Sequence, residues 1–239
     1  MMNKSYSWLL HQDSNTVTNK IRQFITLDNY IENNDNSKFY SFYNNLGKNE
    51  REKIDPSVLI FSKNPNHFQY MIDDLKVEFN KLSEDKKNIP IIKYLFTKLG
   101  ILKLEDLNVS KIDASEFISI KKNNSYLLYK LLLFVHLIKE SDSAYLNDVI
   151  PLVEGMGVYY AQEYQLENTL IICYILSRLE VNDSNLDSLK NFLSLQVREN
   201  GAIGYINPLN NEKLTHNKLI NDFFIPNTFY YLNIQYIGI

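Results

Sequence analysis

The sequence predicts an all-α protein of layered helical hairpins, and three observations point that way. Seven glycines and six prolines in 239 residues are too few turn residues for the many reversals of an all-β chain. Apolar residues recur at helical spacing, whereas period-two alternation is scarce. Residues 126–138 and 169–179 are apolar on nearly every face, which places them inside a shell of other helices.

The elements follow in order. Residues 1–63 are more polar, rich in Asn and charge, with Phe39, Tyr40, Phe42 and Tyr43 as aromatic points. They predict a looser N-terminal helical subdomain within a single α-helical domain spanning 1–239. Asn64 stands as an N-cap and Pro65 at the first helical position. Phe68, Met71, Ile72, Leu75, Phe79 and Leu82 then form one apolar stripe. Pro90 opens a helix that Gly100 stops. Helices follow from Asn124 or Ser125, over 143–164, over 167–180 and over 184–196. Segments 68–82 and 184–195 are amphipathic and belong outside. The last, 217–237, carries Pro226, which should kink or split it. Hairpin-like pairs of about 35–45 residues recur from residue 64 onward, a spacing compatible with helical repeats.

Composition excludes several function classes. The net charge is −3 and the pI about 5.8, and no basic cluster exceeds a pair, so the footprint of a nucleic-acid binder is absent. One cysteine, Cys173, rules out an internal disulfide and a cysteine-rich zinc site. The start lacks a secretory apolar run. The most apolar segment, interrupted by Lys130 and His136, is shorter than the ~20 residues a membrane span needs. A cytoplasmic protein is expected. The 30 Asn, with abundant Ile, Lys and Tyr, share A/T-rich codons and suggest a low-GC bacterium.

The stretch FLSLQVRENGAIGY, 192–205, is the most informative joint. Phe192, Leu193 and Leu195 are expected to close a helix on its buried face. Gln196 can bond the carbonyls left free there. Asn200 and Gly201 both tolerate φ > 0 and permit a sharp turn. Gly204 lets another element approach closely, and Tyr205 can pack on the turn. This joint resembles the helix-ending turn of the terpenoid cyclase and protein prenyltransferase α/α-toroid superfamily, which reads approximately F-L-x-x-Q-x-x-x-D-G-x-W/F-G-Y. Gln196, Gly201, Gly204 and Tyr205 match it, Asn200 stands for the aspartate, and Ile203 replaces the aromatic. The resemblance implies a partial α/α-toroid. The family's D-x-D-D acid segment, its D-x-C zinc pair and the paired cysteines of the lanthionine cyclases are all missing. Asp73, Asp74 and Glu78 sit on an amphipathic helix and read as a solvated face. The resemblance therefore implies a member without the family's catalytic residues.

No two histidines lie at i,i+3 or i,i+4, so no helix supplies a metal pair. Neither a metal nor a cofactor is expected. G-x-S-x-G, Walker A and Rossmann glycine patterns are absent. The candidate pocket lies in VEGMGVYYAQEY, 153–164. Glu154 interrupts an apolar helix, Gly155 and Gly157 thin it, and Tyr159, Tyr160 and Glu163 follow. His136 and His216 complete the set of candidates. A carboxylate buried among aromatics can act as an acid, and equally the glycines can serve close packing. Two readings result. One is an accessory or binding protein that holds a peptide or hydrophobic small molecule in an aromatic-lined groove, within a bacterial natural-product pathway. The other is a diverged cyclase-like or transferase enzyme using a buried carboxylate. The enzyme reading expects a closed cavity with Glu154 pointing in. The binding reading expects an open groove, with Glu154 tied into packing.

Overall fold

The computed structural model describes residues 2–31, 35–103, 143–179, 181, 184–204 and 216–235. Twelve helices run through them: α1 Met2–Leu10, α2 Val17–Tyr30, α3 Ser37–Asn44, α4 Lys48–Arg51, α5 Gln69–Lys81, α6 Glu84–Lys87, α7 Pro90–Lys98, α8 Ser143–Gln162, α9 Leu166–Arg178, α10 Ser184–Leu195, α11 His216–Leu219 and α12 Ile225–Gln235. Two 3-10 turns, Pro56–Phe61 and Pro65–Phe68, precede α5, and a π-helical turn, Ile220–Phe224, joins α11 to α12. The fold is all-α, with one isolated antiparallel bridge, Val197 to Ile203, among the described residues. None of their helices is long and apolar enough to cross a membrane. The apolar segment 126–138 lies outside the described residues.

The chain forms two compact units. The first takes Met1–Ser83 and Gln196–Asn233, and the second Glu84–Leu195 and Ile234–Ile239. The first unit is thus assembled from two segments more than a hundred residues apart in the sequence.

In the first unit α2 is central, and its buried face is unusually polar. Thr16 caps it by accepting from the Asn19 N–H. Ile21 and Ile25 are fully buried, and Asn19, Arg22, Thr26, Asp28 and Asn29 are buried beside them. Buried polar groups need partners, and the C-terminal segment supplies many of them. Asn29 Nδ2 donates to Asn233 Oδ1 at 2.6 Å, Tyr30 to the Leu232 carbonyl at 3.1 Å, and Asn19 Nδ2 to the Asn221 carbonyl at 2.9 Å.

Pro226 explains the last of these bonds. Proline has no N–H to return to the preceding turn. The Ile225 N–H reaches back five residues to Ile220, which makes the turn π-helical. The Asn221 carbonyl would take the N–H of residue 225 in an α-turn or of residue 226 in a π-turn. Neither is available to it, and Asn19 satisfies it from outside. Proline therefore widens the helix here instead of splitting it.

In the second unit α8, α9 and α10 pack against one another. Every residue of α9 from Asn168 to Leu176 is buried, as its all-round apolarity predicts. Leu186, Leu189 and Leu193 form the buried stripe of α10. Leu195 is 80% exposed, against the expectation that it closes the buried face. It lies two residues past Leu193, about 200° around the helix, and cannot share that face. α7 ends as the sequence predicts: Gly100 has φ 67°, its N–H bonds to Thr97 and the Ile101 N–H to Phe96, the double closure of a Schellman motif. Pro65 opens a 3-10 turn and not α5 itself, and the Asn64 side chain makes no capping bond.

Candidate functional site

An open groove of about 450 Å³ lies in the first unit. Leu46, Ile54, Pro56, Met71, Leu75 and Val77 provide its apolar lining. Its polar centre is Asp74 on α5. Asp74 Oδ2 accepts from the Tyr43 hydroxyl at 2.9 Å and from Arg51 Nη1 at 2.9 Å. The Arg51 guanidinium also lies over the Tyr43 ring, 4.6 Å from its centroid. Burial, then the Asp74 hydrogen bond and charge, push the Tyr43 phenol well above its usual range, so it stays a donor. Behind Tyr43 runs an aromatic cluster in which Phe39 meets Tyr43, Phe68 and Phe24. The groove itself is aliphatic with one tyrosine.

The acidic run on α5 divides. Asp73 pairs with Lys76 at 3.6 Å and Glu78 with Lys81 at 2.7 Å, all largely in solvent. Asp74 alone is built into a three-residue constellation. No group of three or more His, Cys, Asp or Glu among the described residues could hold a metal ion.

Of the sequence-derived pocket candidates, Glu154, Tyr159, Tyr160 and Glu163 fall in the second unit and His216 in the first. Glu154 is buried, at 8% exposure, and its Oε2 accepts from Asn185 of α10 at 3.1 Å. Gly157 is where α8 meets its neighbours: a Cβ there would come within 2.6 Å of Leu189 and 2.9 Å of Ile172. Gly155 has nothing within 4 Å of that position. Tyr160 is fully buried, and its phenol is pushed up by burial and then by Tyr159. Tyr159 and Glu163 are exposed. Glu154, Tyr159 and Tyr160 lie along α8, and Glu163 follows directly after it. His136 and Tyr205 lie outside the described residues, and His216 is described only as the first residue of α11.

Sequence reasoning missed two further constellations. His67 Nδ1 meets Asp28 Oδ1 at 2.7 Å, with the Asp28 side chain 1% exposed and the imidazole 40% exposed. The signal available was an acid on the apolar stripe of α2, two turns past Ile21 and one past Ile25. In the second unit the Tyr94 and Tyr174 hydroxyls lie 3.3 Å apart. Lys98 also bonds Tyr174; burial and then Arg178 lower its ammonium pKa, while Tyr174 works against them. These groups come from α7 and α9, and nothing local in either helix links them.

The glycine joint is a small hairpin. The Gly201 N–H bonds to the Arg198 carbonyl at 2.9 Å and the Arg198 N–H to the Ala202 carbonyl at 2.8 Å, closing a three-residue loop. Gly201 has φ 95°, as expected. Asn200 does not adopt positive φ, the only such non-glycine residue described being Tyr164. Instead its side chain accepts from the Ala202 N–H at 3.0 Å, an Asx-type turn that substitutes for the left-handed conformation. A Cβ on Gly201 would strike the Lys4 carbonyl of α1, and one on Gly204 the Phe223 ring. The Gln196 carbonyl accepts from the Gly204 N–H at 3.1 Å. Each of these residues packs the first unit. The chain matches no protein-family model, no curated protein and no solved structure with which it was compared.

Proposed function

We propose that this is a binding protein, without chemistry of its own, that holds an apolar peptide segment or small hydrophobic molecule in the groove between α3, α4 and α5. The observation that carries the reading is an open apolar groove with a fixed polar centre, Tyr43–Asp74–Arg51. Apolar walls around a few converging polar groups are what small-ligand sites use. The tie of Glu154 to Asn185 supports the same reading, since it is the arrangement expected of a packing carboxylate. A partial α/α-toroid architecture and an accessory place in a bacterial natural-product pathway belong to this proposal. They rest on the sequence resemblance at 192–205, where Gly201 and Gly204 both have positive φ.

The test is a panel of apolar peptides and small hydrophobic molecules, followed through the Met71 methyl resonance. Val77 is 54% exposed on the groove wall, so Val77→Glu should keep the fold and weaken binding about tenfold. Glu154→Gln should leave binding unchanged. Turnover of any panel member that Glu154→Gln abolishes would favour the enzymatic alternative and overturn the binding one.

A further inference from the structure

An open cleft of about 590 Å³, lined largely by polar residues, lies beside the start of α2, within the size range of small-ligand sites. It shares no lining residue with the groove. Arg22 lines it and is only 8% exposed. A guanidinium keeps its proton in a protein, so this is a buried positive charge. It donates to Asn19 Oδ1 at 2.6 Å and lies 5.8 Å and 6.0 Å from the Phe229 and Tyr230 ring centroids. Among the described residues no carboxylate pairs with it, and its Nε has no hydrogen-bond partner. A buried cation without a counter-ion is costly, and ring contacts offset only part of that cost.

The surroundings share this unmet demand for an anion. The first turn of α2 lines the cleft through Val17, Thr18 and Asn19 and carries no acidic residue of its own, so the helix adds its positive end to the site. The π-helical turn adds Asn221 and Asp222 to the lining, and α12 adds Pro226. The rim has the other sign: Glu50, Asp55 and Asp222 line the mouth with Lys53, and all are exposed. A multiply charged anion would be repelled at that rim. A ligand carrying a carboxylate and an ammonium would match both ends.

We propose that this cleft binds a zwitterion, a free amino acid or short peptide, with Arg22 receiving the carboxylate and the acidic rim receiving the ammonium. Arg22 presents a planar fork suited to a carboxylate.

The experiment titrates the full chain with trialanine, its C-terminal amide, its N-acetyl form and inorganic phosphate, by calorimetry and by the Arg22 Nε–H resonance. Trialanine should bind and move that resonance. The amide should bind at least about tenfold more weakly, the loss expected when a charge-assisted hydrogen bond is removed. Arg22→Gln should abolish the response. Because Arg22 is buried, Asp222→Asn on the exposed turn is the second variant. It should weaken trialanine while leaving the N-acetyl form unchanged. Equal binding of trialanine and its amide would overturn the proposal, as would a response to phosphate alone, no response to any probe, or an Asp222→Asn protein that binds trialanine as tightly as the parent.

Discussion

Gly201 shows how much one residue can carry. Its φ of 95° is a conformation an L side chain adopts only with strain, and the Lys4 carbonyl leaves no room for a Cβ. Gly201→Ala should cost about 2 kcal/mol, measured by denaturant unfolding, with the midpoint lowered and the slope unchanged. Cys173 offers a second test. It is fully buried, and burial pushes its thiol from an ordinary 9.0 up to about 12, with Lys190 a smaller opposing influence. A thiolate is the reactive form, so a disulfide reagent should leave the native protein unmodified and label it on unfolding. The linkage has a definite sign. Between 9.0 and about 12 the unfolded chain releases this proton and the folded one keeps it, so stability present below 9.0 falls as pH rises through the window. Cys173→Ala should flatten that slope in alkaline unfolding titrations.

At the scale of elements, α10 and the joint after it separate packing from exposure. Leu193 and Leu195 look interchangeable in FLSLQ, yet one is 3% and the other 80% exposed. Leu193→Ala should cost about 2–5 kcal/mol in thermal or denaturant unfolding, and Leu195→Ala less than about 0.5 kcal/mol. The joint is held from outside by α12: the Ile203 N–H donates to Thr228 Oγ1 at 3.0 Å, in the interior. Thr228→Val keeps the shape and removes the acceptor. It should cost about 1–3 kcal/mol and raise the hydrogen-exchange rate of the Ile203 amide. Helix boundaries in this part of the chain were readable because periodicity, Pro90, Gly100 and the stripe at 186, 189 and 193 are local signals. The π-turn before Pro226 was not. Proline announces a disturbed helix, but whether the helix splits or widens depends on a partner for the released carbonyl, and here that partner is Asn19, 202 positions away.

At the scale of the whole molecule, two segments far apart in the sequence build one unit through buried amide pairs. Asn29 bonds Asn233 Oδ1 and the Phe61 carbonyl through Nδ2, and accepts from the Lys63 N–H. Asn233 in turn donates to the Phe229 carbonyl at 2.7 Å. A double-mutant cycle of Asn29→Ala and Asn233→Ala should give a coupling energy of about 1 kcal/mol, within the range for residues in direct contact. Independent effects would show that the two segments do not cooperate. The candidate sites belong to the same scale. Tyr43, Arg51 and Asp74 come from α3, α4 and α5, and Arg22 gains its meaning from rings some two hundred residues later.

The sequence by itself determined the helical class, the buried character of α9, the stop at Gly100 and the conformational demand at Gly201. Each follows from short-range periodicity or from the backbone freedom of a single residue. Only the tertiary structure decided that Met1–Ser83 and Gln196–Asn233 share a unit, that Glu154 faces Asn185, and that Asp74 joins Tyr43 and Arg51 in a groove. It also decided that Arg22 lies buried without a counter-ion. Those facts depend on which distant side chains meet in a low-dielectric interior, and no spacing within one helix encodes its partner in another.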